Sequence, residues 1–204
     1  MNKILNQLKR RTPSLMGLEQ LPKYSILLPL VEVENETHIL FEVRSLKLRR
    51  QPGQICFPGG KIDENDRDQQ HCAIRETCEE LGIEEENIED VLPLDTMISP
   101  HNHILFLFVG KITDINLIKP NEAEVGEVFT VPLSYFKKTI PDKYRIYFRA
   151  EPEEGFPYEL IGGKDYQWAE RHVDQYFYQY DGKVIWGITG RILTYFLELL
   201  ESEE

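Results

Sequence analysis

Gly59-Gly60, then fourteen residues, then Arg75-Glu76-Thr77-Cys78-Glu79-Glu80-Leu81-Gly82-Ile83 is the stretch that carries chemistry in this chain. Glu76 and Glu80 stand four apart, so on a helix they share a face, and Glu79 lies beside them. Like charges at this spacing destabilise an isolated helix by roughly a few tenths of a kcal/mol per pair. A cation among them reverses that sign, and carboxylate oxygens are the hard ligands that Mg²⁺ or Mn²⁺ prefers. Arg75, four before Glu79, can orient its carboxylate. Gly82 supplies a helix stop, and Gly59-Gly60 lets backbone groups approach a metal or a phosphate closely. A second pair, Gly162-Gly163, has no such acids after it and receives no weight.

Charge is segregated around this stretch. Residues 43–62 hold five bases (Arg44, Lys47, Arg49, Arg50, Lys61) and no acid, whereas residues 63–90 hold twelve acids and two bases. Acids that bind a divalent metal beside bases that hold an anion would give this pattern. Two solvated surfaces would also give it. The whole chain has 204 residues and a net charge of −12, with 41% hydrophobic and 28% charged residues. That balance suits one soluble globular domain spanning 1–204 and argues against nucleic acid as a partner. No apolar run approaches the roughly 20 residues of a membrane span, so no membrane partner is expected either. The start carries no apolar leader, and Cys56, Cys72 and Cys78 read as reduced thiols with packing roles, so a cytoplasmic location is expected.

The remaining pattern is mixed. Residues 2–11 suggest a short basic amphipathic helix ended before Pro13, within a lead-in of 1–22. Residues 24–33 and 37–44 read as a hairpin through Glu34-Asn35-Glu36. Residues 51–61 read as a loop with a short strand at 55–57, and residues 66–81 as a helix. Strands are expected at 91–99, 104–113, 144–149 and 175–180. Asp181-Gly182 turns tightly into 183–186. Short helical character falls at 132–138. A final helix covers 187–200, with Ile188, Ile192, Phe196 and Leu199 on its buried face.

Upstream of the glycine pair the order is Arg44-Ser45, Arg49, Gly53 and Phe57-Pro58-Gly59-Gly60. Late in the chain comes Ile185-Trp186-Gly187-Ile188-Thr189-Gly190-Arg191-Ile192-Leu193. With these flanks, the glycine–acid stretch resembles the Nudix box, G-x5-E-x7-R-E-U-x-E-E-x-G-U with U aliphatic. There is one extra residue before Arg75, and Thr77 stands at an aliphatic position. The first glutamate of the box has Asp66 or Glu64 as its nearest equivalent. The extra residue and the upstream signature are similar to the coenzyme A pyrophosphatase branch of Nudix hydrolases.

The resemblance implies an α/β fold: an α/β/α sandwich with a mixed central sheet, a loop–helix–loop and a C-terminal helix. It implies metal-dependent hydrolysis of coenzyme A or its derivatives to 3′,5′-ADP and 4′-phosphopantetheine. Alternatives are another nucleoside diphosphate derivative (NADH, ADP-ribose or an ADP-sugar) or an inactive nucleotide-binding regulatory module. Mg²⁺ or Mn²⁺ is the implied cofactor, held by Glu76, Glu80, Glu79 and Gly60. The implied catalytic set is Glu79, Glu76, Glu80 and Arg75. Arg44, Arg49, Arg50, Gly53, Gly59 and Gly60 are the implied substrate contacts, with Arg49 or Arg50 on a 3′-phosphate. Glu122, Glu124 and Glu127 compete as a further acid, and His101 and His103 as an added ligand or proton donor. Residues 143–182 read as an enlarged, aromatic-rich insertion. Its aromatic residues are read as core filling, with a lid over adenine or pantetheine as the alternative. The oligomeric state stays open, a homodimer being one choice.

Overall fold

A computed structural model describes residues 2–9, 11–12 and 16–202. Helix α1 (Asn2–Leu8) opens the chain and is shorter than the expected 2–11; Arg10 and Pro13 lie outside the described residues. Strands β1 (Lys23–Val33) and β2 (Glu36–Arg44) form the expected hairpin. Glu34 and Asn35 turn it with φ of 51° and 63°, the left-handed pair such a tight turn requires. β3 (Ile55–Cys56) and β4 (Gly59–Lys61) follow, then helix α2 (Gln69–Leu81). β5 (Ile88–Ile98), β6 (Ile104–Ile112), β7 (Val125–Pro132) and helix α3 (Leu133–Lys138) come next. β8 (Asp142–Phe148), β9 (Arg171–Tyr180), β10 (Lys183–Ile185) and helix α4 (Gly187–Glu201) complete the chain.

β1 is the centre of a seven-stranded mixed sheet. It runs parallel to β6 and antiparallel to β2 and β4. A central strand must be apolar on both faces, and Leu27, Leu28 and Val31 are all buried. Their alternation sorts the core into two layers. Leu27, Val31, Leu40 and Phe108 pack with Ala73 and Leu81 of α2. Leu28, Ile39, Phe41 and Leu107 pack with Ile192, Leu193, Phe196 and Leu197 of α4. The result is the expected α/β/α sandwich. The α4 stripe is turned slightly from its expected face, because Leu193 and Leu197 are buried where Leu199 is only half-buried.

Two strands escaped the sequence reading. β7 pairs with β2 along 38–44 although Gly126 and Glu127 interrupt its apolar pattern. Its Val128–Val131 run carried a β signal. β4 contains two glycines, which weaken strand propensity, and exists because β1 offers it a partner.

The insertion corrects an expectation. β8, β9 and β10 form a separate three-stranded sheet. Tyr144 is 61% exposed, Tyr147 58%, Tyr166 47% and Trp168 39%. They do not fill the core. Phe156 and Tyr166 each pack edge-to-face on Trp168, and the small sheet reaches the core through Tyr178 of β9 and Ile185 of β10. The intervening residues 149–170 contain few strand or helix formers that alternate, and they fold into one 3-10 turn at Tyr158–Ile161.

Candidate active site

Helix α2 begins at Asp68, whose Oδ1 accepts the His71 N–H at 2.8 Å, and ends at Gly82 in the left-handed region (φ 63°). No side chain could replace Gly82, since a Cβ there would lie 2.0 Å from the Lys119 carbonyl oxygen. These two stops set the rotation of the helix, which turns Glu80 inward to 5% exposure and leaves the Glu79 side chain 57% exposed.

The β4 glycines meet that face. The Gly59 N–H donates to Glu80 Oε2 at 2.9 Å. The Glu76 carboxylate lies over Gly60 so closely that a Cβ there would fall within 2.1–2.4 Å of it. The glycine pair and the helix acids are therefore one unit, as the spacing suggests.

Arg75 is its hub. Its Nε and Nη2 each donate to Asp66 at 2.9 Å, Nη2 reaches Glu76 Oε1 at 2.9 Å, and Nη1 reaches Glu79 at 3.3 Å. Asp66 also accepts the Asp63 N–H at 2.8 Å and contacts His71 Nδ1 at 3.0 Å. This decides between the two box candidates: Asp66, with its side chain only 1% exposed, fills the first acidic position, and Glu64 is solvated. The Arg75 guanidinium holds the Asp66 carboxyl well below the usual carboxylate range. Glu76 is pushed up by burial, against the pull of Arg75.

The other side of the site comes from β2. Glu42 is 1% exposed, and its Oε1 accepts the Cys56 thiol at 3.1 Å. Burial pushes Glu42 up, and it pushes Glu80 further, to about 9, with the neighbouring Glu42 charge as the next cause. No sequence motif pointed to Glu42. The only available signal was an acid inside an apolar run, Phe41-Glu42-Val43, which a strand would have to bury or expose.

Among the later acids, Glu124 is the one whose charge acts on Glu42, Glu76 and Glu80. Its turn is fixed by Ser45 N–H to the Glu124 carbonyl (2.8 Å) and Asn121 N–H to the Glu80 carbonyl (2.9 Å). Glu127 pairs instead with Lys183 at 2.7 Å, and Glu122 offers its carbonyl to the Ser45 hydroxyl at 3.1 Å. Arg44 is half-buried beside Glu42. Gly53 (φ 72°) closes the 45–52 loop by donating to the Arg44 carbonyl at 2.9 Å. Arg49 and Arg50 sit exposed on that loop. The His103 ring lies 5.0 Å from Tyr24, and no bond joins His101 or His103 to the carboxylates among the described residues.

A cleft of about 310 Å³ opens at this centre between Lys61, Asp63, Asp66, Arg75 and Glu76. A larger one, about 410 Å³, lies between β5 and α4 at Met97, Tyr176 and Arg191, and shares none of the acids. Volume alone does not locate the chemistry.

The donors fit a divalent cation in kind: they are carboxylate oxygens, crowded and partly buried. Glu42 Oε2 is buried with no partner among the described residues. In this conformation no three acidic, His or Cys side chains among the described residues converge on one ion position. Glu76 and Glu79 are turned onto Arg75 instead.

The NUDIX domain profile matches residues 26–150. The mouse (Mus musculus) protein named peroxisomal coenzyme A diphosphatase NUDT7 is 40% identical over 114 residues, covering 56% of this chain and 48% of that protein. The chain thus spans about half the length of that relative. The human (Homo sapiens) protein named mitochondrial coenzyme A diphosphatase NUDT8 is 32% identical over 184 residues, covering 86% of this chain and 68% of that protein. A MutT/nudix family protein from Enterococcus faecalis, 15% identical, superimposes with a TM-score of 0.51 over 98% of this chain and 70% of its own, a likeness of fold. With Arg75, Glu76, Glu79 and Glu80 gathered on one helix end against Gly59-Gly60, and the matching profile running across them, this chain belongs to the NUDIX domain family.

Proposed function

We propose that the protein hydrolyses the pyrophosphate bond of coenzyme A or a derivative, giving 3′,5′-ADP and 4′-phosphopantetheine, and needs a divalent metal, Mg²⁺ or Mn²⁺. The observation that carries this reading is the acid-lined cleft at Glu76 and Arg75, with the half-buried Arg44 and the basic 45–52 loop on the strand side of the same centre. Two relatives named coenzyme A diphosphatases support the choice of substrate.

Water adds to one phosphorus, the bridging P–O bond breaks, and the bridging oxygen leaves with the other phosphate. When bound, the metal offsets the diphosphate charge and lowers the pKa of a coordinated water. Glu76 and Glu80 would hold it, with the Gly60 backbone close by. Glu79, the most exposed helix acid, would complete the metal set or take a proton from solvent-side water. Arg75 keeps the Glu76 and Glu79 carboxylates at the helix end while no metal is there, and Glu76 would turn from it to meet the cation. Arg44 meets a phosphate oxygen with a charge-assisted bond.

The test is a panel of coenzyme A, dephospho-coenzyme A, NADH and ADP-ribose with each metal, products separated by chromatography. Coenzyme A should be cleaved with the highest kcat/KM. Cleavage of NADH or ADP-ribose with coenzyme A untouched would overturn the substrate while leaving the metal centre standing.

A further inference from the structure

Glu42 has no place in the motif that brings the other acids together, yet it is the most deeply buried of them. It stands opposite Cys56 in the β2–β3 ladder, and one of its oxygens takes the Cys56 thiol at 3.1 Å. The other oxygen is buried and has no hydrogen-bond partner among the described residues. A buried carboxylate oxygen is costly unless a proton, a donor or a cation meets it.

The surroundings supply no donor. Glu80 is the neighbour whose charge Glu42 acts on, and Glu124 presses on both from the facing turn. Arg44, two residues along β2 and so on the same face, could have closed an ion pair. It makes none with Glu42 among the described residues, and its own Nε is buried and unpartnered too. An acid oxygen and a guanidinium nitrogen therefore lie unmet on one strand face, beside a second buried acid. A cation with an attached anion satisfies both at once and, unlike a bridging water, also offsets the charge of the two buried acids.

We propose that Glu42 is a metal ligand of this chain, which together with Glu80 holds a divalent cation on the strand side of the centre, and that Arg44 meets the phosphate this cation carries. The proposal rests on the reading that the site works with a divalent metal, and it adds a ligand from outside the helix.

Mn²⁺ binding to the full chain without substrate separates the two. Titration followed by electron paramagnetic resonance should show Glu42→Gln weakening Mn²⁺ at least tenfold or removing one bound equivalent. The Mn²⁺-dependent rise in unfolding temperature should shrink in step. Without metal, Glu42→Gln should unfold no lower than wild type, because a buried charge has gone. If Glu42→Gln binds Mn²⁺ like wild type while Glu80→Gln is weakened, Glu42 is not a ligand and the metal centre stands. If both bind like wild type, the metal reading fails with it. Should Glu42→Gln not fold, Glu42→Asp draws the carboxylate back by one methylene, and wild-type Mn²⁺ affinity there overturns the proposal equally.

Discussion

The segment from Phe41 to Gly82 and the hairpin β8–β9 are built in opposite ways. In the first, each functional side chain is held by a different element: Glu80 by the Gly59 amide, Arg75 by Asp66, Glu42 by Cys56. In the second, Tyr144, Tyr147, Tyr166 and Trp168 are exposed, and Lys143 and Arg145 share the surface acid Asp174. The family profile covers all of the first region and stops at residue 150, before β9. Chemistry at phosphorus requires fixed distances, and cross-element bonds provide them. An exposed aromatic hairpin is free of that demand.

The sharpest way to break this contrast is turnover. Glu80→Gln keeps volume and helix propensity and removes the charge, so kcat should fall by about 10²–10⁴, whereas Trp168→Ala should leave kcat within about threefold if the hairpin touches only distal parts of a substrate. Near wild-type turnover of Glu80→Gln at saturating Mg²⁺ would remove it from the site.

Stability gives the next effect. Arg75→Ala leaves Asp66 buried without its counter-charge and should cost about 3–5 kcal/mol in urea unfolding. Lys143→Ala, at an exposed and solvent-screened pair, should leave the unfolding midpoint nearly unchanged. Similar losses for both would mean that Arg75 is no more than a surface group.

The bases differ by substrate. Arg44→Ala should raise KM for coenzyme A and dephospho-coenzyme A alike, as a pyrophosphate contact does. Arg49→Ala or Arg50→Ala should raise it by about tenfold to a hundredfold for coenzyme A only, if that exposed pair reads the 3′-phosphate. Equal effects of Arg49 and Arg50 on both substrates would assign them to the loop or the pyrophosphate instead.

The smallest effect is a shift in unfolding temperature with pH. Glu80 is raised from 4.5 to about 9 in the folded state, so the native protein keeps a proton that the unfolded chain has released. From this group, metal-free stability declines as pH rises from about 4.5 to about 9. Asp66 has the opposite sign: its contribution is present above its ordinary 3.8 and is lost as pH falls through the depressed range. Millimolar Mg²⁺ should raise the midpoint by mass action and flatten the alkaline decline, and Glu80→Gln should flatten it without metal. A midpoint indifferent to both pH and Mg²⁺ would contradict a crowded, cation-seeking centre.

Helix α2 and its acids were legible because a helix has a local code. Spacing of three and four places Glu76, Glu79 and Glu80 together, and Gly82 marks the end within the same short stretch, although the helix starts at Gln69 behind the Asp68 cap and not at residue 66. The β1–β2 hairpin was legible for the same reason, through Glu34 and Asn35. The choice of Asp66 over Glu64, of Glu124 over Glu122 and Glu127, and the entry of Glu42 were not. The first depends on how the loop before α2 folds back onto Arg75, and the others on which strand pairs with which and in what register; a one-residue slip of β2 would have turned Glu42 to the other face. The same limit misled the reading of the aromatic insertion, since composition shows how apolar a segment is but not whether a neighbour covers it. Local spacing determined the helix end that carries the acids; the sheet register, set by contacts between residues far apart in the chain, decided which further acids surround it.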